Sequence, residues 1–226
     1  MKLECPFFWV NFKVYPGTGG EEGLDLARSI ERVQRETGVQ FVLSPQLPDI
    51  RLVAEDTDLA IIAPVADAVE EGRGTGRVLI DTVRKAGADA LSINHAESRD
   101  TYSDIAFKIR RCKEHGLDSM VSVHSIDMGR AIATLDPDYL VFEKPEDIST
   151  DRAITKTNPD RVRKFIEMVD EVNPRTNVFV GGGIGSPGDV EAGFDLGVNA
   201  VGAASAVVGA DDPEEFLRDI ASAFPD

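Results

Sequence analysis

The sequence predicts an α/β fold, a single (β/α)8 barrel over residues 1–226, and three observations carry that expectation. Short apolar runs alternate with longer amphipathic segments, with no break in composition along the chain. Eight such runs fit within 226 residues, the size of one barrel. No Gly-x-Gly-x-x-Gly follows the first run, which argues against the doubly wound open sheet that alternates in the same way.

The first run is Phe7 to Val14, and its lack of strict polar alternation suits a strand buried on both faces. After the glycine turn Gly17 to Gly20, Leu24, Ala27, Ile30 and Val33 recur at helical spacing. Gln40 to Ser44, Leu59 to Ala63 and Ala90 to Ile93 form the second, third and fourth runs. Ile105, Ile109 and Cys112 then mark a helix that His115-Gly116 ends with a basic last turn. Ser119 to Val123 and Tyr139 to Phe142 are the fifth and sixth runs. Asn158-Pro159-Asp160 opens a helix carrying Val162, Phe165, Ile166 and Val169 on one face. Asn177 to Val180 and Ala200 to Ala203 complete the strands, and Asp212-Pro213 supplies cap and first turn of the last helix.

Composition narrows the function classes. Hydrophobic residues make up 42% and charged residues 28%, enough for a sizeable core. A net charge of -16 repels phosphate backbones, so nucleic acid is excluded as a partner. No apolar run approaches the roughly 20 residues of a membrane span. The start Met1-Lys2-Leu3-Glu4-Cys5-Pro6 lacks a signal-peptide cleavage site, and a cytoplasmic location is expected. Cys5 and Cys112 are far apart without metal-type spacing, so reduced thiols are expected; with only His95, His115 and His124, so is the absence of a metal site. Abundant aspartate, with arginine outnumbering lysine, suits a salt-rich cytoplasm in which screening removes self-repulsion.

In such a barrel, chemistry gathers where strands end and βα loops begin. Asn11 and Lys13 end the first run, Asn94-His95-Ala96-Glu97 follows the fourth, and Glu143 follows the sixth. Gly181-Gly182-Gly183 follows the seventh and Ala204-Ser205 the eighth. All five clusters are therefore expected at one mouth. Taken singly, each has an ordinary reading as a surface charge, a structural histidine or a turn.

Asn11-Phe12-Lys13, Asn94-His95-Ala96-Glu97, Glu143-Lys144-Pro145-Glu146 and the Gly183 and Ala204-Ser205 loops resemble the shorter, archaeal-type triosephosphate isomerases. The resemblance runs over essentially the whole chain. It implies interconversion of glyceraldehyde 3-phosphate and dihydroxyacetone phosphate through an enediolate, without a cofactor. Glu143 matches the base and His95 the electrophile, the pairing already described for that enzyme. Lys13 supplies positive charge, Asn11 positions it, and Glu97 acts behind the groups that touch substrate. Backbone N–H groups near Ile148, Gly183, Ala204 and Ser205 would hold the phosphate. Thr75 falls in the loop that family members insert into a partner subunit, which implies a homodimer or homotetramer.

The chain departs from the family at several positions. The lid reads Glu143-Lys144-Pro145-Glu146-Asp147-Ile148-Ser149-Thr150-Asp151, with Ser149 and Asp151 where the family carries glycines. Weaker anion binding or stiffer closure is expected from that change. Ala96 stands where a serine usually follows the histidine, removing a hydroxyl that can hold the glutamate. Pro64-Val65 replaces the usual Gln-His, and the loop Glu71 to Gly76 lacks its usual Ser-His. Two other readings stay open on these residues: a related barrel enzyme acting on another small phosphorylated or carbonyl substrate, and a non-catalytic binding barrel.

Overall fold

Alternate side chains along each strand enter different apolar clusters, the period-two rule of extended chain. Phe7, Trp9, Val42, Ile62, Met120, Val141 and Phe179 fill one cluster. Phe8, Val10, Leu43, Ile61, Leu91 and Val121 join helix residues such as Ile30, Ile109 and Phe165 in another. A sheet apolar on both faces needs cover on both, and closing it into a barrel ringed by helices supplies that.

The computed structural model describes residues 3–143 and 153–225. Eight parallel strands close in sequence order, so that β1 pairs with both β2 and β8. They are β1 (Phe7–Asn11), β2 (Gln40–Ser44), β3 (Ala60–Ala63), β4 (Ala90–Ile93), β5 (Asp118–Val123), β6 (Tyr139–Phe142), β7 (Asn177–Val180) and β8 (Ala200–Ala203). The helices around them are α1 (Gly20–Thr37), α2 (Ile50–Asp56), α3 (Ile80–Ala86), α4 (Tyr102–His115), α5 (Ile126–Ala133), α6 (Ile154–Thr157), α7 (Pro159–Val172), α8 (Pro187–Asp195), α9 (Ser205–Val208) and α10 (Pro213–Ala221). Ile148, Ser149 and Asp151, singled out in the lid, lie outside the described residues.

The expected (β/α)8 barrel is the observed fold, with shifts at some strand ends. The first strand stops at Asn11 rather than Val14. Asn11 Oδ1 accepts the Lys13 N–H at 2.9 Å, and Lys13 takes φ +47°, which turns the chain out of the sheet. The third strand begins at Ala60, not Leu59. The fifth begins one residue before Ser119, because Asp118 already pairs with Ala90.

The chain also closes the far end of the barrel. The Leu3 N–H donates to Asp118 Oδ2 at 3.1 Å, and the Tyr139 hydroxyl donates to the Leu3 carbonyl at 3.2 Å. Side chains therefore fill the barrel from that end up to the opposite mouth, where chemistry has room.

Helix ends follow local signals. Thr101 caps α4 in a reciprocal box with Asp104, and Gly116 ends that helix in the left-handed region at φ +68°. Asp212 accepts the Glu215 N–H at 3.0 Å, with Pro213 in the first turn of α10. Arg218 of α10 pairs with Glu36 of α1 at 2.7 Å, joining the last helix to the first. Because the Thr101 box stands at the start of α4, Thr101→Ala should cost about 1 kcal/mol in urea unfolding. Its kcat should be little changed, because Thr101 is not among the residues lining the cavity at the mouth.

Candidate active site

Each strand end delivers a different group to the mouth. After β1, Lys13 lies largely buried, its side chain 11% exposed, and its Nζ donates to Glu97 Oε1 at 3.0 Å. After β4, Asn94 adopts φ +59°, a left-handed angle that asparagine tolerates better than most residues. Hydrogen bonds hold that turn. The Asn94 side chain donates to the Ser122 carbonyl at 2.7 Å, and its N–H donates to Asp100 Oδ2 at 2.9 Å. Lys108, buried on α4, donates to Asp100 Oδ1 at 2.6 Å and holds that carboxylate in place. A buried charge without such a partner would cost several kcal/mol.

The turn projects His95 into the mouth. Its Nδ1 accepts the Glu97 N–H at 3.2 Å, so a neutral ring carries its proton on Nε2. Burial holds the His95 pKa below its ordinary value; Glu97 opposes this, while Lys13 and Arg99 add to it. The imidazole therefore stays neutral at pH 7 and offers an N–H donor.

Glu143 follows β6. Its N–H donates to the Val123 carbonyl at 3.1 Å, extending the β5–β6 ladder by one residue. Its carboxylate occupies space that a side chain at Gly181 would take, since a Cβ there would stand 2.5 Å from Glu143 Oε1. Oε2 is shielded from solvent and has no hydrogen-bond partner among the described residues. Burial, the largest influence, pushes the Glu143 pKa up to about 7; Lys13 and Arg99 pull it down and Glu97 pushes it up. A carboxyl poised near neutrality is the protonation behaviour a general base needs.

The other side of the mouth is backbone. Gly182 at φ +82° and Gly183 at φ +74° turn the chain after β7 through angles that glycine adopts without strain. Ala204 and Ser205 lead from β8 into α9, where the Val207 and Val208 N–H groups donate to the Ala204 carbonyl at 3.1 and 3.2 Å.

A cavity of about 430 Å³ brings these groups together, lined by Asn11, Lys13, His95, Glu143, Gly183, Ala204 and Ser205. Its size suits a small ligand. Glu97 lines an adjoining cavity of about 340 Å³, which shares Asn11, Lys13 and His95 and extends over Leu47, Pro64 and Val65. Of the site residues expected from sequence, only Ile148 lies outside the described residues. The sequence reading missed Trp9, Phe179 and Phe216, which also line the larger cavity, and the Asp100–Lys108 pair behind His95. Strand parity was an available signal: Trp9 precedes Asn11 by two residues, and Phe179 precedes Gly181 by two.

Barrel, imidazole and carboxyl together define the class, a (β/α)8 barrel with titratable groups gathered in one cavity at its mouth. A model of the triosephosphate isomerase family matches residues 6–223. The chain is 36% identical to the triosephosphate isomerase of Methanobacterium bryantii over 219 residues, 97% of each chain. It is 35% identical to that of Methanocaldococcus jannaschii over 211 residues, covering 93% of this chain and 96% of the relative. With that of Methanosarcina barkeri it shares 35% over 218 residues, 96% of this chain and 98% of the relative. The chain belongs to the triosephosphate isomerase family.

Burial of Glu143 has a consequence for stability. The folded state binds its proton more tightly than the unfolded state, so its contribution is fully present below about pH 4.5 and is lost as pH rises through about 7. Glu143→Gln removes the buried charge, and should be more stable than the parent by roughly 3 kcal/mol at pH 8 but not at pH 4. Urea unfolding at the two pH values checks this; equal differences at both would show that burial does not raise the carboxyl.

Proposed function

We propose that this chain interconverts glyceraldehyde 3-phosphate and dihydroxyacetone phosphate, with Glu143 as the base. The observation that carries the reading is the Glu143 carboxylate, its Oε2 shielded and without a partner among the described residues, sharing one cavity with a neutral His95 and with Lys13. Moving a proton between adjacent carbons beside a carbonyl needs a base, a donor at the oxygens and an anchor for the phosphate.

In this reading Glu143 removes the proton from the carbon next to the carbonyl and returns it to the neighbouring carbon. Its pKa near 7 lets it accept a proton without holding it too tightly. His95 Nε2–H donates to the oxygens on which enediolate charge develops. Lys13, placed by the Asn11 turn, adds positive charge that counters the chain's -16 background. Glu97 holds Lys13 through Nζ and His95 through its own N–H. Main-chain N–H groups at Gly183, Ala204 and Ser205 take the phosphate. Ala96 offers no hydroxyl to hold Glu143, in keeping with an Oε2 that has no partner among the described residues.

A coupled assay with both trioses in molar KCl tests the assignment. Glu143→Gln should lower kcat by about 10²–10⁴-fold, and His95→Asn by about 10²-fold or more. Wild-type turnover in Glu143→Gln would overturn Glu143 as the base.

The same reading extends to assembly and setting. Val14, 86% exposed, lies beside Leu47, Pro64 and Val65 along the smaller cavity. Residues 70–76 stand exposed nearby in sequence, and the base of their loop is pinned where Asp67 Oδ2 accepts the Val78 N–H at 2.7 Å. These features support a homodimer or dimer-based tetramer that inserts the Thr75 loop beside a partner's Lys13. The acidic surface supports a salt-rich cytoplasm, and Cys5 and Cys112 stand as free thiols. Sedimentation and melting followed across KCl concentration should give a dimer or tetramer whose melting temperature rises with salt. A monomer removes the assembly, and a melting temperature indifferent to KCl removes the salt adaptation.

A further inference from the structure

The family's reaction leaves one part of the cavity unexplained, its aromatic wall. Trp9 on β1 and Phe179 on β7 meet edge to face, with ring centroids 5.4 Å apart and planes at 65°. Both are nearly fully buried, and both line the cavity that holds Glu143. Two missing side chains make this arrangement possible. A Cβ at Gly202 on β8 would clash with the Trp9 carbonyl and stand 2.9 Å from both Phe179 Cζ and Trp9 Cβ. A Cβ at Gly181 would stand 3.1 Å from Phe179 Cε1 and 2.5 Å from Glu143 Oε1. The ring edge and the carboxylate are therefore neighbours across one empty methyl site.

We propose that the Trp9–Phe179 pair, seated by the absence of a side chain at Gly202, is a positioning wall for the Glu143 carboxylate, fixing where it rests and keeping water from that face. The wall offers no hydrogen bond in return. A phenyl ring has no polar donor, and Trp9 Nε1 is shielded with no partner among the described residues. An apolar surface against an ionised carboxylate disfavours the charge, and burial is the largest influence on this group. The charged and titratable groups facing Glu143 among the described residues come from the loops after β1 and β4: Lys13, His95, Glu97 and Arg99. Among the described residues, β7, β8 and their loops bring no charged side chain to the cavity lining. Changes to Trp9, Phe179 or Gly202 therefore alter solvation while leaving every facing charge in place.

The inference rests on Glu143 as the base only for its kinetic readout. The direct measurement is a carbon-13 titration of the ligand-free protein, with the Glu143 carboxyl assigned by its loss in Glu143→Gln. Phe179→Leu, which opens the wall to water, should lower the Glu143 midpoint by about one pH unit. Trp9→Phe, which keeps a ring, should lower it less. The acid limb of kcat/KM should move down with the midpoint, a displacement that loss of packing alone does not produce. Urea unfolding identifies the folded variants, and Phe179→Met keeps the test open if leucine is not tolerated. Midpoints unmoved in the folded variants, Trp9→Phe alone included, overturn the wall. A midpoint that moves while the acid limb stays fixed overturns Glu143 as the base and leaves the wall standing.

Discussion

The burial of one carboxyl is the constraint on which this site depends. Glu143 follows a strand whose inward residues, Tyr139 and Val141, belong to the apolar filling of the barrel, so its side chain meets that filling at the mouth. Water cannot solvate Oε2, no described group donates to it, and Lys13 with Arg99 offsets only part of the cost. A carboxylate in that position binds a proton near neutral pH, which a solvated glutamate does not. Much of the surrounding structure bears on how that group is approached and held.

The neighbours divide into two kinds. Asn11, Lys13, Asn94 and His95 occupy turns that begin where the ladder ends, and side-chain hydrogen bonds replace the strand pairing lost there. The Asp100–Lys108 pair extends this support into α4, tying the His95 turn to a helix whose packing is apolar. Across the cavity, β7 and β8 contribute backbone and the Phe179 ring but no charged side chain, with Gly181 and Gly202 leaving room for groups from other strands. One half of the mouth thus carries charge and hydrogen-bonding side chains, and the other carries an aromatic ring, space and main-chain N–H groups. That asymmetry suits a small phosphorylated substrate, whose reacting carbons and anion need opposite kinds of surroundings.

Two histidine properties often treated separately meet in a single contact. The Glu97 N–H occupies His95 Nδ1, which fixes the tautomer, while burial keeps the ring neutral. Glu97 also holds Lys13 with its carboxylate, so one exposed residue orders two groups of the cavity. The sequence reading placed Glu97 behind the substrate-contacting residues without showing that its backbone has a share in the task.

What the sequence by itself determined was the barrel and the identity of the groups at its mouth. Buried strands and amphipathic helices announce themselves by local composition, and all eight strands were legible, with small shifts at the ends of the first, third and fifth. Lys13, His95 and Glu143 were legible because a barrel places its strand ends together. Only the tertiary structure decided how those groups behave. That Lys13 leaves the sheet through a turn, that Lys108 and Asp100 support His95, and that Trp9 and Phe179 stand against Glu143 are facts of through-space proximity. They join residues far apart in the chain. The pKa of a carboxyl follows from the atoms that surround it, and the residues next to it in sequence supply few of them.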